Sequence, residues 1–396
     1  MSRRWQVDEW LFAAAVGLTL FGVVMVYSAS AFVAMEEQHN PAHYLLRQGL
    51  WAAIGLSVMI AAMRFDYERL NDGFIVYGAL LFVCALLLAV FAFPRVNGAH
   101  RWIRLFGFSV QPSEVAKFAL VLFLAHRFGR GGEEGSLKTF VSVLAVTGLL
   151  ALLIVIEPDL GTASMLVATC WIICFAAGVR LRYLFALLLP AAIGFTLLLL
   201  FVPWRMRRLM AFLDPWADPQ GAGYQVVQSL IGIGSGGIHG LGFAQGRQKM
   251  FFLPLAHSDF IFAIIGEELG LVGALAVLAA FALFGWRGVC AALRAPDRFG
   301  MLLGLGIVAQ VLTQALFNMS VVLGLVPTKG IPLPFVSYGG SSLVPLLFSV
   351  GVLLNISSRA RGRADRYGRF GEAWEVASGS LKTQPRIPLR WQIRGS

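Results

Sequence analysis

Charge is scarce in this chain. Asp, Glu, Lys and Arg make up 13% of it against 58% hydrophobic residues, with a mean hydropathy of +0.74, whereas a soluble domain carries about 25% charged residues. That shortage excludes a soluble globular fold. Cysteine is rarer still: the 4 present, Cys84, Cys170, Cys174 and Cys290, lie in or beside apolar runs. No His or acid accompanies Cys170 and Cys174 to complete a metal site, so they read as packed apolar thiols. Acids number 21 against 32 bases, for a formal charge of +11. This balance is not a nucleic-acid signature, because nine bases crowd into residues 359–396 beside three acids, with no aromatic pattern for stacking. Such a tail fixes topology and touches an anionic inner leaflet, or docks a cytoplasmic partner.

What is abundant is apolar sequence in blocks long enough to cross a hydrocarbon core as helices. The blocks predict ten spans, at 11–34, 45–62, 74–93, 113–128, 139–156, 160–179, 183–202, 260–285, 301–326 and 339–357. The fold class is therefore all-α, a polytopic integral membrane protein with a large external loop between helices seven and eight. The fourth span is short and carries charge, yet Glu114 and Lys117 stand three apart and pair on one helix face. Ten spans put both termini on one side, and 21 of the 32 Lys and Arg fall on that side, which makes it cytoplasmic. The first block follows Arg3 and Arg4 and ends near Ala29-Ser30-Ala31, but it is too long for a cleaved signal and reads as a span. The chain thus divides into a cytoplasmic N-terminus at 1–10, a ten-helix membrane domain at 11–358 including an external loop at 203–259, and a basic cytoplasmic tail at 359–396, taken as flexible.

Most connections are short. The loop at 203–259 is long enough to suggest function. Its first half interleaves Arg205, Arg207 and Arg208 with Trp204, Met206, Leu209, Met210 and Phe212, the pattern of an amphipathic interfacial helix. Its second half, with Gly232, Gly234, Gly236, Gly237, Gly240, Gly242 and Gly246, reads as a flexible or tightly turned strip. External cations are the odd feature: Arg95, Arg101 and Arg104 between spans three and four, Arg205, Arg207, Arg208, Arg247 and Lys249 in the long loop, and Lys329 between spans nine and ten. Topogenesis gives no reason for them. Either they anchor to lipid headgroups or they converge on an anionic ligand, for which a phosphate or pyrophosphate is the natural candidate.

Two external acids are candidates for chemistry. Asp159, in an external hairpin after Glu157 and Pro158, serves as a helix cap or as a site residue. Asp259 has the stronger claim, because it closes the cation-rich loop and has His257 two residues before it. Glu267 lies about 12 Å deeper along the helix, too far to pair with Asp259, and Glu267 and Glu268 sit within the span, where function or buried pairing is expected. The last external connection, VPTKGIPLPFVSYGGSS, packs Pro and Gly around Lys329. That density imposes an irregular backbone with free amides, suited to a rigid bend or to anion binding.

Five stretches carry a resemblance: NGAHRWIRLFGFSVQPSEVAKF at 97–118, EPDLGTA at 157–163, GAGYQVVQSLIGIGSGG at 221–237, HSDFIFAIIGEELGLVG at 257–273 and PTKGIPLPFVSYGGSS at 327–342. In this order they resemble the shape, elongation, division and sporulation family of bacterial cell-wall polymerases, and the PTKG form of the last loop looks most like the cell-division member. The resemblance implies a multi-pass glycosyltransferase of the bacterial inner membrane that joins lipid II into glycan strands at the outer face. It also implies a class B penicillin-binding protein and septal division proteins as partners, with no role for nucleic acid.

Carried over residue by residue, the family's essential aspartate falls on Asp259, and its substrate-associated residues on Arg101, Gln111, Glu114, Lys117 and Lys329. Asp159 and His257 join this set as candidates. The chain departs from the family at Leu255, where Glu is usual, and at Ser258, where Thr is common. The implied chemistry makes Asp259 the general base and Lys117, Arg101 and Lys329 the groups that steady departing undecaprenyl pyrophosphate. A divalent cation such as Mg2+ or Mn2+ can share the pyrophosphate load, although no dense acid cluster supports a permanent metal site. The competing readings are a lipid II flippase and a non-catalytic division scaffold.

Overall fold

A computed structural model describes residues 7–95, 98–105, 108–132, 136–201 and 203–359. Among the described residues twelve α-helices follow one another: α1 (Glu9–Gln38), α2 (His43–Arg64), α3 (Gly73–Ala89), α4 (Pro112–Gly129), α5 (Leu137–Ile156), α6 (Leu160–Ala176), α7 (Leu181–Phe201), α8 (Pro203–Leu213), α9 (Tyr224–Gly236), α10 (Ile261–Leu293), α11 (Arg298–Val322) and α12 (Gly340–Arg359). Among the described residues seven of these are long and apolar enough to cross a membrane by themselves. With the charged α4 and the shorter apolar helices α6 and α7, they make up the ten predicted spans. Aligned Asp side chains start several of them: Asp8, Asp72, Asp159 and Asp297 each accept a backbone N–H from the first turn.

Burial separates centre from periphery. In α11, 72% of the most apolar stretch is buried, and in α12 67%, against 28% in α2, α3 and α5. The first two are the axis of the bundle; the others turn apolar side chains outward, as a lipid-facing helix does. The helix α10 divides at Gly270, whose φ of 65° interrupts the helical backbone. Its first half, Ile261 to Glu268, is buried, while Leu271, Val272 and Leu275 beyond the break are exposed.

The ends of the helices define two faces. On one, Arg287 of α10 pairs with Asp8 before α1, Asp8 donates its N–H to Ser357 of α12, and Arg359 pairs with Asp66 and Glu68. This terminal face holds the described ends of the chain; the expected tail beyond Arg359 and residues 1–6 lie outside the described residues. The opposite, loop face carries an antiparallel hairpin of β1 (Ile103–Leu105) and β2 (Phe108–Val110), the α5–α6 turn, α8, α9 and the segment between α11 and α12.

The expected amphipathic helix is α8. The glycine-rich strip differs from expectation: Gly232, Gly234 and Gly236 are helical, in α9. Low helix propensity is overridden there by packing, since an added Cβ at Gly236 would lie 2.0 Å from the carbonyl oxygen of Gly266 in α10. Only a residue without a side chain lets the two helices approach so closely.

Candidate active site

The aspartate singled out by the sequence stands just before α10, at the loop face. Asp259 Oδ1 accepts from the Ser258 hydroxyl at 3.0 Å, and its backbone carbonyl accepts from the Asn318 amide at 2.8 Å. The same Asn318 nitrogen donates to the Ile331 carbonyl at 2.7 Å. One side chain of α11 therefore holds the aspartate and the last loop together. The fit between them is close, for a Cβ on Gly330 would fall 2.5 Å from Asp259 Oδ2. Burial pushes the Asp259 carboxyl above its ordinary pKa, while the Ser258 hydrogen bond and the charges of Arg101 and Arg208 pull it back. The carboxylate is thus a stronger base than an exposed Asp, with cations beside it.

Those cations come from two loops. Arg101 is oriented by the carbonyls of Glu157 and Pro158, to which its guanidinium donates. Arg208 reaches from α8 to the Thr328 carbonyl at 3.5 Å, next to Lys329. Asp159 is the N-cap of α6: it accepts from the Thr162 N–H at 3.1 Å, from the Thr162 hydroxyl at 2.8 Å and from Gln111 Nε2 at 3.3 Å. Its cap role is therefore visible in the structure, and its charge also acts on Asp259. Next to it Glu157 is fully buried, and neither of its carboxyl oxygens meets a hydrogen-bond partner among the described residues. Burial, reinforced by Asp159, pushes its pKa up to about 8.

The last loop does not stay at the surface. Phe335 inserts between Phe281 and Phe284, with ring centroids 6.3 and 5.6 Å away, and takes a φ of 65° that a side chain rarely adopts. Its backbone lies so near α1 that a Cβ on Gly22 would be 2.6 Å from the Phe335 carbonyl oxygen. Carbonyls at this depth need donors. Gln314 donates to Pro332 O at 2.9 Å, Gln48 to Ser337 O at 3.2 Å, and Ser337 donates to Ser258 O at 2.6 Å.

This arrangement locates Glu114 and Lys117 beneath the loop. They form the expected ion pair, at 2.8 Å, and Lys117 also donates to Gln314 Oε1 at 2.7 Å. Both are buried. They line a cavity with Gln310, Gln314, Pro332 and Ser342, and their direct contacts are with the groups that hold the loop. The structure therefore gathers Arg101, Asp159, Gln111 and Asp259 with the last loop, while Lys117 supports that loop from behind. His257, two residues before Asp259, lies beside Tyr44 and Tyr338, and burial lowers its pKa.

Glu267 and Glu268 show the buried pairing expected of acids within a span. Glu268 meets Lys249 Nζ at 2.6 Å and the Ser28 hydroxyl at 2.6 Å, and accepts from the Ala244 N–H at 3.0 Å. Glu267 accepts from the backbone N–H groups of Arg247 and Gln248. These acids fold the glycine-rich loop onto α10. Lys249 is consumed in this work, which removes it from the cations available to an anion at the loop face. Leu255, where the family usually has Glu, is 47% exposed. Among the described residues no group of three or more His, Cys, Asp or Glu side chains is disposed to hold a metal ion.

Asn318, Gln314 and Gln310 were not singled out in the sequence. Their spacing of four residues is the signal, for it aligns three amides along one side of an otherwise apolar span.

Comparison with known proteins agrees with this architecture. Residues 9–362 match the FtsW, RodA and SpoVE family model, described as cell cycle protein. The chain is 44% identical over 354 residues to the "probable peptidoglycan glycosyltransferase FtsW" of Geobacter metallireducens, covering 88% of this chain and 94% of that one. Against stage V sporulation protein E of Bacillus subtilis it is 41% identical over 350 residues, 87% of this chain and 95% of that one. A chain from a structure describing coordination of polymerization and crosslinking by a peptidoglycan synthase complex superposes with a TM-score of 0.75 at 27% identity, covering 90% and 98% of the two chains. The rod shape determining protein RodA of Thermus thermophilus shares the fold, with a TM-score of 0.66 at 24% identity and coverage of 89% and 97%. With a family model spanning nearly its whole membrane region, and with relatives alike over most of their length, the chain belongs to the FtsW, RodA and SpoVE family of cell cycle proteins.

Proposed function

We propose that this protein is a peptidoglycan glycosyltransferase that polymerises lipid II at the outer face of the bacterial inner membrane, with both termini cytoplasmic. The observation that carries the reading is Asp259: a partly buried carboxylate of raised basicity, fixed against the last loop and flanked by Arg101 and Arg208. In the reaction, Asp259 takes the proton from the 4-hydroxyl of the acceptor N-acetylglucosamine as that oxygen attacks the anomeric carbon of the donor. The bond from that carbon to the pyrophosphate oxygen breaks, and undecaprenyl diphosphate departs with the electron pair. Direct displacement inverts the anomeric carbon.

Arg101, Arg208 and Lys329 stabilise the leaving diphosphate. Asp159 and Gln111 set the α6 end of the site, His257 stands two residues before the base, and the Glu114–Lys117 pair holds the last loop at its working height. A divalent cation such as Mg2+ or Mn2+ enters this proposal only as a companion of the diphosphate, because the nearby Asp159 already accepts three hydrogen bonds. The reading extends to a class B penicillin-binding protein that crosslinks the product and to a place in the septal assembly; the likeness to FtsW and to a chain of a complex that coordinates polymerization and crosslinking supports it.

Purified protein in detergent, incubated with labelled lipid II and its transpeptidase partner, tests the reaction. Native protein should yield glycan strands. Asp259→Ala should lower the rate by about 100-fold or more, the range of a lost general base, while eluting as a folded monodisperse species. Strands at native yield from the variant would reject the role of Asp259. Lipid II translocation in sealed vesicles without strand formation would instead identify a flippase.

A further inference from the structure

Four aromatic side chains meet around His257, two residues before Asp259, where the charge that acts is Glu37 rather than Arg101 or Arg208. Tyr44, in the first turn of α2, lies 4.9 Å from the His257 ring and 5.1 Å from the Tyr338 ring, centroid to centroid, and His257 lies 5.7 Å from Tyr338. His43 stands edge-on to Tyr44 at 5.4 Å. The rings come from three separate segments: α2, the approach to α10 and the last loop. Backbone bonds fix their mutual position, since Tyr338 N–H donates to His257 O at 3.0 Å and Gly339 N–H to Gln48 Oε1 at 3.3 Å.

The rings are half-buried, unlike the core aromatics Phe284 and Phe335. Their rim is polar: the Tyr44 hydroxyl donates to the exposed Glu37 at 3.0 Å, and Arg47 lies against Tyr338. Aromatics at a membrane boundary commonly anchor helices in the headgroup region. An anchoring belt, however, spreads rings around the outside of a bundle. Here they converge on one another and on the residue two positions before the base.

The charges around the two sides differ. Arg101, Asp159 and Arg208 act on Asp259, whereas Glu37 and Arg47 act on the ring cluster. An anion suits the first neighbourhood. The second offers half-exposed aromatic rings with hydroxyl, carboxylate and guanidinium groups at the edge, which suits a neutral pyranose: its axial C–H bonds can lie against a ring while its hydroxyls bond to the rim.

We propose that Tyr44, His257 and Tyr338 form the subsite for the acceptor sugar, presenting its attacking hydroxyl to Asp259 while the diphosphate of the donor lies on the arginine side. This rests on the glycosyltransferase reading and adds to it a division of the site into a sugar-stacking half and an anion-binding half.

Inhibition of strand formation by two soluble probes tests the division. One probe is the N-acetylglucosaminyl-N-acetylmuramic acid disaccharide without lipid or phosphate; the other is inorganic pyrophosphate. Tyr44→Leu should weaken inhibition by the disaccharide about tenfold, the loss expected for one aromatic face, and leave inhibition by pyrophosphate unchanged. Tyr44→Phe, which keeps the ring, should retain disaccharide inhibition. Arg208→Ala should show the reverse pattern. Equal weakening toward both probes, or no inhibition of native protein by the disaccharide, would overturn the subsite. If Tyr44→Leu does not fold, Tyr338→Phe and Tyr338→Leu make the same comparison. Failure of native protein to form strands would count against the glycosyltransferase reading itself, so the two failures are distinguishable.

Discussion

At position 268 of α10 a buried glutamate has its oxygens taken up by Lys249, Ser28 and Ala244. At the entrance of the same helix, the Asp259 side chain accepts a hydrogen bond from the Ser258 hydroxyl and stands near Gly330, within the fields of Arg101, Asp159 and Arg208. Both are acids in places where charge is expensive. The first is saturated by its own chain and so holds structure together. The second retains acceptor capacity beside cations, which is the condition for handling a substrate. Burial of a carboxylate does not by itself distinguish these roles; the supply of donors does.

The comparison is broken most directly by removing each acid. Glu268→Ala strands Lys249 in a dry site and should cost about 3–5 kcal/mol, seen as a large fall in melting temperature or a failure to purify as a monodisperse species. Asp259→Ala should melt at or above the native temperature, because it relieves a buried charge. Equal thermal losses for both would erase the distinction.

A subtler change sharpens it. Gly330→Ala inserts a methyl group 2.5 Å from Asp259 Oδ2, so the carboxylate or the loop must shift. Displacement on the ångström scale should reduce polymerisation by about 100-fold, with the melting temperature nearly unchanged because Gly330 is exposed. Retention of full activity would show that the close approach is irrelevant to catalysis.

A pH-dependent effect concerns Glu157, which belongs to neither class. Burial raises its pKa from 4.5 to about 8, so its proton favours the folded state. That contribution is complete below pH 4.5 and is lost as pH rises through about 8. Glu157→Gln, neutral throughout, should flatten the decline of melting temperature across this window. An unchanged slope would mean that the carboxyl ionises without cost.

The membrane spans were legible because hydrocarbon thickness forces apolar runs of a set length, and the Glu114–Lys117 pair because a helix brings residues three apart together. Asp259 stood out as an acid closing a cation-rich loop. The descent of the last loop was not legible, since it depends on Gln314, Asn318 and Gln48 supplying donors from distant helices. Nor was the change in the place of Lys117, which follows from that descent. The α9 helix was hidden by its glycines, whose local preference against helix gives way to close packing on α10.

The shared amide of Asn318 also bears on how the protein is made. During synthesis Asp259 emerges 59 residues ahead of Asn318, and Ile331 follows another 13 residues later. Until α11 has entered the membrane and the segment after it has folded back, the Asn318 amide cannot join the aspartate to the last loop. A chain halted before that point carries the acid without its setting. The setting of the aspartate is therefore completed only by residues that follow it in the chain.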